Sequence, residues 1–164
     1  SQDQFNELLA ALDDLGTDTG LIFTKPNADP EGRVLTTMLD QYVASRDNAR
    51  CYTSLGQLRY LSTMSHADVV VGNSSSGLLE APSLSKPTVN IGSRQDGRIR
   101  AASVIDSPPR RADIVTAIRK ALSGSLAKID NPYGDGNAAA RIIDILKKHP
   151  QPRDLLLKQF QDMP

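Results

Sequence analysis

The chain has 164 residues, 39% of them apolar but only 4% aromatic, with no tryptophan, so one domain with a core of Leu, Ile, Val and Ala is expected. Lys plus Arg equals Asp plus Glu at 19 each, a balance that leaves no electrostatic footprint for nucleic acid or for an anionic membrane. The lone Cys51 rules out an intrachain disulfide and fits a reducing compartment, no apolar run is long enough to span a bilayer, and the acidic amphipathic start reads as a helix rather than a signal peptide; the cytoplasm is the expected location.

Apolar residues at helical spacing open the chain: Phe5, Leu8, Leu9, Leu12 and Leu15. The short apolar run GLIFT, closed by a Lys-Pro-Asn turn, predicts a strand. Val34, Leu35, Met38, Leu39, Tyr42 and Val43 predict a second helix, and ARCYTS a second strand. Ser54 with Gln57 three residues on has the spacing of a capping box, followed by the stripe Leu55, Leu58, Leu61 and Met64. DVVVGN has no polar alternation, as expected for a parallel strand covered on both faces. A short helix after Ser74, the strands PTVNIG and SVIDS, and helices from near Ala112 and after the Gly-Asp-Gly turn complete the pattern. A last helix, DLLLKQF, follows the proline-rich joint HPQPR. Strands alternating with helices predict a doubly wound parallel sheet. Such domains usually open with a strand; this one opens with a helix.

The stretch GNSSSGLLEAP, Gly72 to Pro82, lies where a buried strand stops and a helix starts. In a doubly wound sheet, ligands bind beyond the carboxyl ends of the strands. The first amides of a helix lack intrahelical acceptors and favour anions, and small residues let an anion approach the backbone closely. Ser74, Ser75, Ser76 and Gly77 therefore form a candidate phosphate cradle. Glu80 is not spaced as a capping partner of any of the serines; it falls one turn above Ser76, where it is placed to accept hydrogen bonds from a ribose diol. The same spacing also suits a plain serine N-cap with Glu80 as a solvated acid.

The turn GSRQDGRIR follows the next strand and should lie beside the serine turn. It carries Arg94, Arg98 and Arg100, and the guanidinium fork suits a diphosphate, although a solvated loop is the commoner fate of such a turn. Asn27, in the turn after the first strand, is a candidate ligand donor or an ordinary turn residue beside Pro26. Asp29 reads as a helix-start signal. His66 and His149 read as helix-end and joint residues, Cys51 as core, and Tyr52 and Tyr60 as packing residues, with a place near a base pocket as the alternative for Tyr60. No metal-ligand cluster or Ser/His/Asp set is visible, so no cofactor is expected.

The strings TSLGQLRYL, VVVGNSSSGLLEAPSLSKPTVNIGSRQDGRIRAASVID and NPYGDGNAA closely resemble UDP-N-acetylglucosamine 2-epimerases, and best the hydrolysing branch, which yields N-acetylmannosamine and UDP for sialic-acid-type sugars. The resemblance covers nearly the whole chain. It implies a Rossmann-like doubly wound sheet, the second domain of a glycosyltransferase-B-type fold with its first strand missing. Residues 1–164 would be that C-terminal UDP-binding domain, with 147–164 as joint and helix. Ser74 and Ser75 would hold the diphosphate with Ser76 and Gly77 close by, Glu80 the uridine ribose, Arg94 phosphate, and Asn27 would approach the substrate. The non-hydrolysing branch has a Ser-Gly-Gly turn and paired glutamates; here the turn is Ser-Ser-Ser and Leu79 precedes Glu80, which favours hydrolysis.

The resemblance also implies what this stretch does not carry. The family's second domain opens with a strand ending in a His-Pro-type turn, and the acids of the chemistry lie in the first domain. The implied partners are therefore a UDP-sugar and the N-terminal domain, within an enzyme that is a homo-oligomer, and the 164 residues alone are expected to bind weakly without turnover. Two other readings stay open: the donor-binding domain of a glycosyltransferase of the same fold, and a non-catalytic sensor or interaction module. The exact sugar, UDP-N-acetylglucosamine or a diacetamido-trideoxy relative, is left open by the residues.

Overall fold

A computed structural model describes residues 2–26, 30–124 and 129–148. The chain divides into two compact units, residues 1–132 and 133–164. The first carries the strands. Its elements run α1 (Gln2–Asp13), β1 (Leu21–Thr24), α2 (Pro30–Ala44), β2 (Ala49–Tyr52), α3 (Gly56–His66), β3 (Val70–Gly72), α4 (Ser76–Leu79), a 3-10 turn (Ala81–Leu84), β4 (Thr88–Ile91), β5 (Val104–Ser107) and α5 (Arg111–Ser123). The second unit contains α6 (Ala138–Lys148). The predicted final helix, Asp154 to Phe160, and His149 lie outside the described residues, as do Asn27 and Asp29.

All described strand pairs are parallel. They form two ladders, β1–β2 and β3–β4–β5, rather than one continuous sheet. Among the described residues β1 and β3 each pair on one edge only. Their side chains show it: the apolar residues of β3 are all only half-buried, whereas all four residues of β4 are buried. Ile22 of β1 is 59% exposed.

The two ladders nevertheless share one core. Val89 and Ile91 of β4 pack with Ala11 and Leu12 of α1 and with Ile114, Val115, Ala117, Ile118 and Ala121 of α5, and Leu21, Phe23, Val69 and Val71 border the same cluster. Successive strand residues point to opposite faces, so Thr88 and Asn90 face the other side, where α4 packs. β4 is thus covered on both faces and flanked by a strand on each edge, which explains why its sequence, TVNI, lacks an exposed position.

α1 and α5 are tied at their ends as well as through the core. The Glu7 carboxylate accepts from the Arg111 backbone N–H at 2.6 Å, at the first residue of α5. The Arg111 guanidinium grips Asp14 with both arms, at 2.7 and 2.5 Å. α1 also reaches α2: Asp13 takes the Tyr42 hydroxyl at 2.7 Å and pairs with Arg46, which lies over the Tyr42 ring. In the second unit Asp135 binds Arg141 and accepts the Asn137 N–H at 3.0 Å.

One local expectation is corrected. Ser54 and Gln57 do not form a capping box. α3 begins at Gly56, its cap position is Leu55, and no side chain caps it. Gly56 adopts φ +65°, and the Ser54 hydroxyl accepts the Gly56 N–H at 3.2 Å. The left-handed glycine places Ser54 one residue too early for the helical amides, and its oxygen closes the preceding turn instead. His66 does end α3 as expected, with Nδ1 2.8 Å from the Ser62 carbonyl. Cys51 is half-buried rather than core, and burial pushes its thiol pKa up.

The hydrogen bond from Arg111 is the main cause that holds the Asp14 carboxyl below its ordinary value. A carboxyl whose folded pKa is depressed stabilises the fold above its unfolded value, about 3.9, and that contribution fades as pH falls through the folded pKa. Lowering the pH from 6 to 3 should therefore reduce the urea midpoint of the native protein more than that of Asp14→Asn, and equal reductions would show that the pair contributes nothing.

Candidate functional site

The parallel pairing of β3 with β4 sets Gly72 opposite Asn90, so the two strands release their chains at the same edge. The serine turn leaves β3 and the basic turn leaves β4, side by side as the sequence predicts. Their contact is explicit. Gln95 Nε2 donates to the Asn73 carbonyl at 2.7 Å, and Arg94 Nη1 lies 3.5 Å from Asn73 Oδ1.

Gly72 leaves the strand at φ +145°, a conformation suited to glycine. The chain then turns through Asn73 and Ser74 into α4. Ser75 occupies the cap position without a side-chain cap bond, and the nearest hydroxyl contact is Ser74 Oγ, 3.4 Å from the Ser76 N–H. The serines are therefore not consumed as a strong N-cap. Ser74 is exposed, and Ser75 and Ser76 are half-buried. Among the described residues the Ser74 and Ser75 N–H groups donate to no backbone acceptor.

Gly77 has a packing reason. It is buried against β4, and a Cβ built there would stand 2.5 Å from Thr88 Cγ2. The Thr88 hydroxyl donates to the Gly77 carbonyl at 2.8 Å. Only a residue without a side chain lets α4 lie this close to the strand, and this closeness holds the serine turn against the sheet edge.

Glu80 ends α4, and its N–H donates to the Ser76 carbonyl at 3.0 Å, which realises the one-turn spacing predicted from sequence. Its Oε2 is buried and has no hydrogen-bond partner among the described residues. The backbone behind it is fixed by Asn131, whose Nδ2 donates to the Leu79 carbonyl at 2.8 Å and to Ser83 Oγ at 2.7 Å. Asn131 opens the NPYGDG string, and nothing in its local sequence marks it as a clamp for a helix 52 residues away.

The three arginines of the basic turn have different fates. Arg100 binds Asp106 at 2.8 Å and Asp96 at 3.2 Å; these carboxylates, Asp106 first, raise its pKa. Arg100 is thus a structural tie. Asp106 also accepts from buried Asn90 at 2.7 Å, so the tie runs back into β4. Arg94 and Arg98 are exposed, and among the described residues the Arg94 side chain hydrogen-bonds only to Asn73. Sequence reasoning did not single out Gln95, an uncharged residue between charged neighbours with no periodicity to mark it.

Two adjacent parallel strands thus deliver a hydroxyl-rich turn and an exposed guanidinium to one sheet edge, with the half-buried Glu80 at the far end of α4. This is the layout of an α/β domain of the Rossmann-like class, in which turns at the carboxyl ends of parallel strands meet at one edge. A family profile described as UDP-N-acetylglucosamine 2-epimerase matches residues 1–147, and the chain belongs to that family. It is 34% identical over 155 residues to a UDP-N,N'-diacetylbacillosamine 2-epimerase (hydrolyzing) of Legionella pneumophila, covering 94% of this chain and 40% of the relative. It is also 34% identical over 166 residues to the polysialic acid biosynthesis protein P7 of Escherichia coli, covering 99% of this chain and 42% of that protein. The chain therefore spans well under half the length of these relatives.

Solved structures agree on the fold. A UDP-GlcNAc 2-epimerase of Methanocaldococcus jannaschii, in complex with UDP-GlcNAc and UDP, superposes with a TM-score of 0.72 at 18% identity, over 91% of this chain and 42% of that one. A UDP-GlcNAc 2-epimerase of Neisseria meningitidis bound to UDP-GlcNAc gives 0.64 at 21% identity, over 90% and 41%. The chain therefore has the expected Rossmann-like α/β fold with parallel strands, and it matches about two fifths of each of these larger chains.

Because Gly77 and Thr88 are in contact, their substitutions should couple. Gly77→Ala should cost about 1–3 kcal/mol in urea unfolding, as overpacking does. Thr88→Ser, which removes Cγ2 and keeps the hydroxyl, should recover part of that loss, giving a double-mutant cycle well away from additivity. Strict additivity would mean that the helix can move off the strand freely.

Proposed function

We propose that this chain is the C-terminal, UDP-binding domain of a hydrolysing UDP-N-acetylglucosamine 2-epimerase. The full protein converts UDP-N-acetylglucosamine and water to N-acetylmannosamine and UDP, in the cytoplasm, for sialic-acid-type sugar synthesis. Ser74 and Ser75 hold the diphosphate, with Ser76 and Gly77 shaping the turn. Arg94 adds charge-assisted bonds to a phosphate, and Glu80 accepts from the ribose hydroxyls. Asn27, which follows β1 in the sequence, is assigned to the sugar side.

The observation that carries this reading is the buried Glu80 Oε2, one turn along α4 from Ser76, which has no hydrogen-bond partner among the described residues. A buried carboxylate oxygen without a donor is costly, by about 1–3 kcal/mol or more, and a ribose diol supplies the missing donors. The guanidinium of Arg94 on the neighbouring turn supports a diphosphate next to that ribose.

The chemistry requires loss of UDP by elimination and addition of water with inversion at carbon 2, and both steps need general acids and bases near the sugar. The residues grouped at this edge bind and orient. The proton-transferring acids belong to the preceding domain, so this chain by itself does not turn over. The name of the Legionella relative, a UDP-N,N'-diacetylbacillosamine 2-epimerase, favours a second substrate, the UDP-linked diacetamido-trideoxy sugar.

Calorimetric titration of this chain with UDP tests the site. Glu80→Ala and Arg94→Ala should each weaken binding by roughly tenfold, as loss of a charge-assisted bond does. A folded chain that does not bind UDP, or that binds it equally well in both variants, refutes the cradle. For the whole protein, release of free N-acetylmannosamine from UDP-N-acetylglucosamine is the expected product. Release of only the corresponding diacetamido-trideoxy sugar from its UDP derivative would reassign the substrate, and transfer to an acceptor would mark a glycosyltransferase.

A further inference from the structure

Gln95 is out of place for a surface turn. Its neighbours Arg94, Asp96, Gly97 and Arg98 are all exposed, yet Gln95 is 4% exposed. Its Nε2 donates to the Asn73 carbonyl at 2.7 Å, while its Oε1 is buried with no partner among the described residues. Leaving half of a buried amide unsatisfied is destabilising. A turn that needed only to be solvated would keep that amide in water.

The bond acts through peptide geometry. The Asn73 carbonyl and the Ser74 N–H belong to the same peptide unit, which is planar and trans, so the two groups point in opposite directions. Holding the carbonyl toward the buried Gln95 turns the Ser74 N–H toward the opposite, outer side of the turn. No backbone acceptor among the described residues takes that N–H. Arg94, the residue next to Gln95, reaches the side chain of the same asparagine. One contact therefore sets both the direction of the Ser74 amide and its spacing from the Arg94 guanidinium.

We propose that Gln95 is a positioning residue for diphosphate recognition, which locks the Asn73–Ser74 peptide so that the Ser74 N–H is presented as a fixed donor to the phosphate. This rests on the reading of the edge as a UDP site. Gln95 touches no ligand in this account. It removes the freedom of one peptide to rotate, and that is what preorganisation of a donor requires.

The test uses UDP and uridine as paired probes, titrated into the protein and into its Gln95→Met variant, which keeps the length of the side chain and removes the donor. The Kd for UDP should rise by roughly tenfold or more, and the Kd for uridine should stay unchanged, which also shows that the variant is folded. Equal UDP affinity in Gln95→Met, or equal weakening toward both probes, overturns the proposal while leaving the UDP site intact. If Gln95→Met does not fold, the native protein decides: the Ser74 amide resonance should shift with UDP and not with uridine, and an unmoved resonance at UDP saturation overturns it. Failure of the native protein to bind either probe would instead remove the UDP site itself, and this proposal with it.

Discussion

The parallel pairing of β4 with a strand on each side is the constraint on which the rest depends. Parallel neighbours must be joined by crossovers, so every strand releases its chain at the same edge. Here the register sets Gly72 level with Asn90 and Asn90 level with Asp106. The serine turn and the basic turn then begin at the same height, and the first residue past β3 meets the third or fourth past β4. Two segments about twenty residues apart in sequence become one surface without any contact designed into either alone.

Close approach is the second requirement. Thr88 and Gly77 bring α4 against the strand at a distance that a methyl group would prevent. Asn131 then holds the far end of the same short helix. α4 has four residues and would not persist as an isolated helix, because its nucleation cost is not recovered over so few turns. It exists because both of its ends and its buried face are fixed by other parts of the chain. The ligand-side groups of this edge inherit that rigidity from their supports rather than from their own sequence.

Charge is distributed by the same division of labour. Arg100, Arg111 and Arg141 are each matched to carboxylates of the chain, and they stabilise turns and helix ends. Arg94 has no carboxylate partner among the described residues and stands exposed beside the serine turn. A guanidinium already saturated by protein carboxylates has little to offer a phosphate, so the pairing pattern separates the structural arginines from the one suited to a ligand. Glu80 mirrors this on the acidic side, with a buried oxygen that no group among the described residues serves.

The sequence by itself determined the order of helices and strands, the parallel α/β class, the position of the serine turn at a strand end, and the neighbourhood of that turn and the arginine turn. Each of these follows from local periodicity and chain connectivity, which act within a few residues. The family likeness was legible for the same reason, since it rests on contiguous strings. What only the tertiary structure decided were choices among partners. Ser54 closes a turn instead of capping α3 because Gly56 takes a left-handed conformation. Arg100 is tied down and Arg94 is not because Asp106 lies on the neighbouring strand. Gln95 is buried because Asn73, 22 residues earlier, presents a carbonyl beneath it, and the strands divide into two ladders because β1 and β3 do not pair. Long-range contacts select one of several chemically adequate partners, and no window of local sequence contains both members of the choice.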